Sequence, residues 1–185
     1  MPASRGIELA TLAGGCFWCI EAALERLEGV CGVVSGYTGG HVAEPDYEVV
    51  CSGESGHAEA VQVAFDPGVL GYRDLLEVFF ALHDPTTRNR QGGDVGTQYR
   101  SAVFFHSAEQ EAIVRGLVAE LAREDAFGAP IVTQIEAAGP FHPAEPHHQG
   151  YYRNHPYQPY CQFVVAPKLA KLHEKFRSRL KRPTG

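Results

Sequence analysis

The sequence predicts one α+β domain built on a split β-α-β-β-α-β core, a ferredoxin-like arrangement. Three observations carry that prediction. Short alternating apolar runs read as strands, two segments between them keep apolar residues at helical spacing, and the order is strand, helix, strand, strand, helix, strand. The chain has 185 residues, 44% of them hydrophobic and 21% charged, which suits one compact domain over 1–185 rather than two. The core is expected over about 7–138, with a C-terminal loop and helix over about 139–180.

Ile7 to Ala13 reads as the first strand, ending at Gly14-Gly15, where the chain can turn sharply. Phe17, Ile20, Leu24 and Leu27 follow at helical spacing, with Gly29 as the stop, so Cys16 falls at a helix N-terminus. Val30 to Tyr37 reads as a second strand. A Gly-rich loop through Gly39-Gly40 and Glu44-Pro45-Asp46 leads past Cys51 to Gly56, and Val61, Val63 and Phe65 alternate as a third strand. Tyr72, Leu75, Leu76, Phe79 and Phe80 share one face of the next helix, which Asp84-Pro85 ends. A polar loop from Thr86 to Thr97 precedes a strand over Ser101 to His106. Ser107 and Gln110 then have capping-box spacing for a helix carrying Ile113, Val114, Leu117, Val118 and Leu121. Ile131 to Ala138 reads as a fifth strand. Gly139 to Tyr160, rich in Pro, His and Tyr, reads as a long packed loop, and Pro167 opens a last helix through Leu180. No internal repeat or low-complexity tract interrupts this order.

A net charge of −6 argues against a general affinity for nucleic acid backbones. The basic residues Lys168, Lys171, Lys175, Arg177, Arg179, Lys181 and Arg182 read as a solvated helical face. Nothing after Met1-Pro2-Ala3-Ser4-Arg5-Gly6 resembles a signal peptide, and no segment approaches membrane-spanning length, so a cytoplasmic monomer away from membranes is expected. Five cysteines at irregular spacing are not a disulfide framework and point to reduced, chemically available thiols.

Among these thiols Cys16 stands out. Unpaired backbone N–H groups at a helix start favour a thiolate, which predicts a lowered pKa there. Trp18, the one tryptophan, lies two residues away, placed to line an apolar pocket or to fill the core. The Cys16-x-x-Cys19 spacing also suits a thiol-disulfide oxidoreductase or half of a zinc site. Zinc lacks a second such pair, with only scattered histidines such as His147 and His148 to complete it. On residues alone these readings stay open, and Glu59 reads as an exposed strand-end carboxylate.

The run Gly15-Cys16-Phe17-Trp18 resembles the signature of the peptide methionine-S-sulfoxide reductases. Four further segments match that family in the same order: Gly36-Tyr37-Thr38-Gly39-Gly40, Tyr47-Glu48-Val49-Val50-Cys51-Ser52-Gly53, Gly56-His57-Ala58-Glu59, and Gly96-Thr97-Gln98-Tyr99-Arg100-Ser101. The similarity spans roughly Leu12 to Cys161. It implies an enzyme reducing the S epimer of methionine sulfoxide, in proteins or free, without metal or cofactor. It further implies that Cys16 attacks the sulfoxide sulfur while Glu59, Tyr47 and Tyr99 hydrogen-bond or protonate its oxygen. Phe17 and Trp18 would hold the methyl group, and Asp94 would order polar groups and water. A carboxyl acting as an acid near neutral pH must be desolvated, so on this reading Glu59 is buried. The resulting Cys16 sulfenic acid calls for a second thiol. Cys161 matches a recycling cysteine of many members and is favoured over Cys19, which stands where many members have another residue. A thioredoxin-type dithiol protein would complete the cycle. Cys31, Cys51 and His57 read as structural.

Overall fold

The computed structural model describes residues 6–183, so the reading of the first five residues lies outside the described part. The four central strands are β1 (Glu8–Gly14), β2 (Val30–Thr38), β3 (Ala58–Phe65) and β6 (Ser101–Phe105), in the spatial order β6-β1-β3-β2 with every neighbour antiparallel. Helices α1 (Phe17–Leu24) and α4 (Ala108–Arg123) follow β1 and β6, and α3 (Tyr72–Leu82) connects β3 to the later strands. This is the predicted ferredoxin-like core. Two short strands extend it. β7 (Gln134–Ala137) pairs parallel with β6 at one edge, and β8 (Phe141–Pro143) pairs antiparallel with β2 at the other, which makes the sheet mixed.

The strand period of two sorts the sheet into two faces. Leu12, Val61, Val63, Phe65 and Val103 join the helices' Ile20, Leu24, Leu75, Phe79, Val114 and Leu117 in the main core. The opposite face carries the small residues Ala13, Ala58, Ala60 and Ala102 with Phe104, under Phe141 and Ala138. Glu59 lies in phase with Val61 and Val63, so it projects into the apolar, helix-covered side.

Several expected loops contain structure. The segment from Gly39 to Gly56 holds a short helix, α2 (Tyr47–Cys51), whose N-cap Asp46 accepts the Val49 N–H at 2.8 Å. The polar loop after Pro85 folds into a small hairpin, β4 (Arg90–Gln91) with β5 (Asp94–Val95), followed by a 3₁₀ turn at Thr97–Tyr99. The Pro- and His-rich stretch contains β8, a 3₁₀ turn at Pro146–His148 and α5 (Tyr151–Asn154). Backbone pairing and side-chain hydrogen bonds supply what periodicity does not reveal in such short pieces. The Gln149 side chain mimics a strand, accepting the Ser35 N–H and donating to the Ser35 carbonyl at 2.9 and 2.8 Å.

Element ends shift in the same way. β3 begins at Ala58 rather than Val61, because its first residues continue the ladder with β2. The last helix, α6 (Ala166–Phe176), is entered through a π turn at Cys161–Val165 and leaves through a 3₁₀ turn, stopping short of Leu180. Ser107 caps α4 as expected, its hydroxyl accepting the Gln110 N–H at 3.1 Å. Gln110 instead completes the cap by accepting the His106 N–H at 2.9 Å. No helix among the described residues is long and apolar enough to cross a membrane. In the basic C-terminal stretch, Arg179 pairs with Asp74 at 2.9 Å and the Lys181 ammonium donates to the Glu25 carbonyl, so that face is partly tied down.

Candidate active site

The site forms where β1 turns into α1. Gly15 makes the turn with φ +92°, in the region L side chains rarely adopt, and a Cβ there would come within 2.6 Å of the Gln91 side chain. Cys16 follows as the N-cap residue of α1, only 8% exposed. Glu59 reaches it from the start of β3, cross-strand from Tyr37, and is 2% exposed.

A cavity of about 160 Å³ is lined by Cys16, Phe17, Trp18, Tyr47, Glu59, Asp94, Tyr99 and Tyr160. Seven of these eight are residues singled out in the sequence, drawn from β1–α1, α2, β3, the hairpin and the 3₁₀ turn. The eighth, Tyr160, is new. It donates to Asp94 Oδ2 at 2.6 Å and lies 3.9 Å from the Cys19 sulfur. A larger groove of about 920 Å³ lies elsewhere, between Arg26, Cys31 and the C-terminal segment, and holds none of these groups.

The first backbone N–H of α1, from Phe17, donates to Glu59 Oε1 at 3.2 Å, so the helix start serves the carboxyl. Burial nevertheless dominates at Glu59 and pushes its pKa up to about 8, with the Asp94 and Cys19 charges adding to the rise against the Phe17 N–H. At neutral pH the group is mostly the neutral acid. Burial likewise raises Tyr47, with Cys51 beside it, and Tyr99, with Glu59 beside it, keeping both phenols as donors. Tyr160 is raised by burial and by the Cys16 and Cys19 thiols.

The thiol at Cys16 departs from the expectation of a lowered pKa. Burial pushes it well above the usual thiol value, and Cys19 and the Glu59 charge add to this, while the pull of the Trp18 backbone N–H is small. The sulfur makes no side-chain capping hydrogen bond, and the Phe17 amide beside it serves Glu59. Cys19 moves the other way, its interaction with the Cys16 thiol lowering it against the cost of its own burial. All five cysteines are free. Cys161 is fully buried, raised by burial and by the Cys19 charge, and does not line the cavity.

Other predicted residues take structural positions. His57 is buried, accepting the Gly40 N–H at 3.0 Å and donating to the Val42 carbonyl at 2.7 Å. Cys31 is exposed on β2, and Cys51 sits behind Tyr47. Behind the cavity, Trp18 Nε1 donates to His148 Nδ1 at 3.1 Å, and the Trp18 ring stacks on Tyr151 with centroids 3.7 Å apart. Glu145, His147 and His148 bring potential ligand atoms within 4.8 Å of one another. Those of Glu145 accept from the Tyr37 hydroxyl and the Tyr47 N–H, and His148 Nδ1 accepts from Trp18, while His148 Nε2 faces Glu145 Oε2 at 3.4 Å. Glu145 and Tyr160 are not singled out by the sequence, which names His148 only as a histidine to complete a zinc site. The density of His and Tyr in a segment otherwise read as loop was the available signal.

A buried thiol backed by a second one, a neutral carboxylic acid and phenolic donors at one small pocket with an aromatic wall define a thiol-dependent reductase site. The match to known proteins is specific. The family model for peptide methionine sulfoxide reductase matches residues 8–180, and the chain belongs to that family. It is 56% identical to the peptide methionine sulfoxide reductase MsrA of Chromobacterium violaceum, over 92% of this chain and 97% of that one. It is 55% identical to the MsrA of Thermus thermophilus, over 94% and 98%. Among solved structures, Mxr1 from Saccharomyces cerevisiae in reduced form is similar with a TM-score of 0.77 and 35% identity, over 87% of this chain and 91% of that chain. Mxr1 in complex with Trx2 is similar with a TM-score of 0.55 and 28% identity, over 82% and 87%.

Proposed function

We propose that this protein reduces the S epimer of methionine sulfoxide, in proteins or free, to methionine, with Cys16 as nucleophile. The observation that carries the reading is the buried Glu59 acid facing Cys16 in one cavity with Tyr47 and Tyr99. A sulfoxide sulfur is a poor electrophile until its oxygen is protonated or strongly hydrogen-bonded. Glu59 gives the proton, the two phenols donate beside it, and Asp94, held by Tyr160, orders the polar side of the pocket. Phe17 and Trp18 pack the methyl group.

Cys16 attacks as its thiolate, its proton released to solvent, and Glu59 regains from solvent the proton it gave to the oxygen. Sulfur–oxygen transfer then releases methionine and leaves Cys16 as a sulfenic acid, with no net loss of water. A second thiol condenses with it, forming a disulfide and one water. The sequence favours Cys161 for that step. The interaction of Cys16 with Cys19, and the influence of Cys19 on the buried Cys161, support Cys19 as the first partner and Cys161 as the thiol that then attacks Cys19, forming a Cys19–Cys161 disulfide and releasing Cys16. Thioredoxin-type exchange returns the dithiol, a step supported by the relative solved with Trx2. We read the chain as one cytoplasmic domain working in this cycle.

The test is Cys16→Ser assayed with methionine S-sulfoxide and dithiothreitol. Loss of turnover is expected, and full retention would sink the assignment. Comparing Cys19→Ser and Cys161→Ser with thioredoxin as reductant separates the resolving steps. Unimpaired thioredoxin-driven turnover in both would remove these thiols from the cycle.

A further inference from the structure

We propose that His148 is a positioning residue of this site, its imidazole fixing the in-plane orientation of Trp18 and backing Tyr47 so that the methyl pocket is formed before substrate arrives. The inference rests on the reading of the cavity as a sulfoxide-reducing site, and it starts from donor and acceptor logic. An indole N–H only donates, so the His148 Nδ1 that it meets at 3.1 Å must be the unprotonated acceptor, and the ring proton lies on Nε2. Nε2 points toward Glu145 Oε2 at 3.4 Å without a well-aligned hydrogen bond. Burial keeps the imidazole below its ordinary pKa and therefore neutral.

The same ring, 3% exposed, packs against three walls of the cavity. Its centroid lies 4.5 Å from that of Tyr47, 5.4 Å from Phe17 and 5.8 Å from Trp18. Stacking of Trp18 on Tyr151, nearly parallel at 6°, fixes the plane of the indole but tolerates its rotation within that plane. The N–H bond to His148 removes that freedom. Through Glu145 the same turn also holds the Tyr47 backbone N–H at 3.1 Å and the Tyr37 hydroxyl at 3.1 Å. His148 itself does not line the cavity, so its influence passes through Trp18 and Tyr47.

The protein has one tryptophan, so a ¹⁵N-labelled sample gives a single indole N–H resonance. In the wild type, the His148 ring shifts should read as an acceptor Nδ1 and a protonated Nε2, with the indole N–H protected from exchange. The reverse tautomer, or an unprotected indole, would overturn the proposal without any variant. His148→Phe keeps the aromatic packing but removes the acceptor. It should move the indole resonance, speed its exchange and raise KM for methionine S-sulfoxide by about 3- to 10-fold, the range one hydrogen bond supplies, with kcat within about twofold. His148→Asn, which keeps an acceptor near the Nδ1 position, should restore both readouts. An unmoved indole resonance or an unchanged KM in His148→Phe contradicts the inference. A wild type that reduces no sulfoxide would instead overturn the functional reading, leaving the indole result to judge His148 alone.

Discussion

Replacing Glu59 by Gln separates two consequences of burying a carboxyl that must act as an acid. Glutamine keeps the size and an oxygen for the Phe17 N–H but has no proton to give. The folded carboxyl has its pKa raised from 4.5 to about 8, mainly by burial. A carboxyl with a raised folded pKa binds its proton more tightly in the folded state, so its contribution is most favourable below about pH 4.5 and is lost as pH rises through about 8. The difference of about 3.5 units, at about 1.36 kcal/mol per unit, puts the full loss at about 5 kcal/mol, of which about 4 kcal/mol falls between pH 5 and 9. Urea unfolding of both proteins across that range cancels the other titrating groups. Glu59→Gln should gain on the wild type by about 4 kcal/mol from pH 5 to pH 9. It should also lose about 10²- to 10⁴-fold in kcat, the usual contribution of a positioned acid. A stability difference that stays flat with pH would refute the raised pKa, and with it the claim that this carboxyl is the proton donor.

For the wild type, the same pKa predicts that kcat/KM falls as pH rises through about 8, measured with dithiothreitol in excess; a rate that climbs steadily to pH 10 would contradict it. Trp18→Ala should raise KM for methionine S-sulfoxide by about 10-fold or more through loss of methyl packing, whereas an unchanged KM would move the methyl pocket elsewhere. Tyr160→Phe removes the donor to Asp94 at 2.6 Å while leaving the ring, so a drop of about 2- to 10-fold in kcat/KM is expected, read against an unchanged unfolding midpoint.

The β-α-β-β-α-β core was legible because its elements are long enough to show their period. Tyr72, Leu75, Leu76, Phe79 and Phe80 mark the buried face of α3, and Val61, Val63 and Phe65 the inner face of β3. The short α2 and β8 were not. α2 is five residues whose start depends on the Asp46 cap, and β8 exists only through its pairing with Gly36, Tyr37 and Thr38. The cavity residues divide differently. Cys16 and Trp18 stand out on residue chemistry alone, but Glu59, Tyr47, Tyr99 and Asp94 entered through ordered motifs, since a lone Glu reads as exposed. Its placement in phase with Val61 and Val63 is what buries it. The Cys16 pKa departs from the sequence expectation for a physical reason: helix-start amides are local and visible in sequence, whereas burial, which outweighs them here, is a tertiary property. Tyr160 stayed hidden beside Cys161, because its link to Asp94 joins segments 66 residues apart.

The most direct test of the account is one turnover without reductant in a Cys19→Ser, Cys161→Ser protein, followed by a sulfenic-acid trap and peptide mass spectrometry. The account predicts a single trapped adduct on Cys16 and one methionine released per chain. Methionine release with no adduct on Cys16, or with the adduct on Cys31 or Cys51, would contradict it.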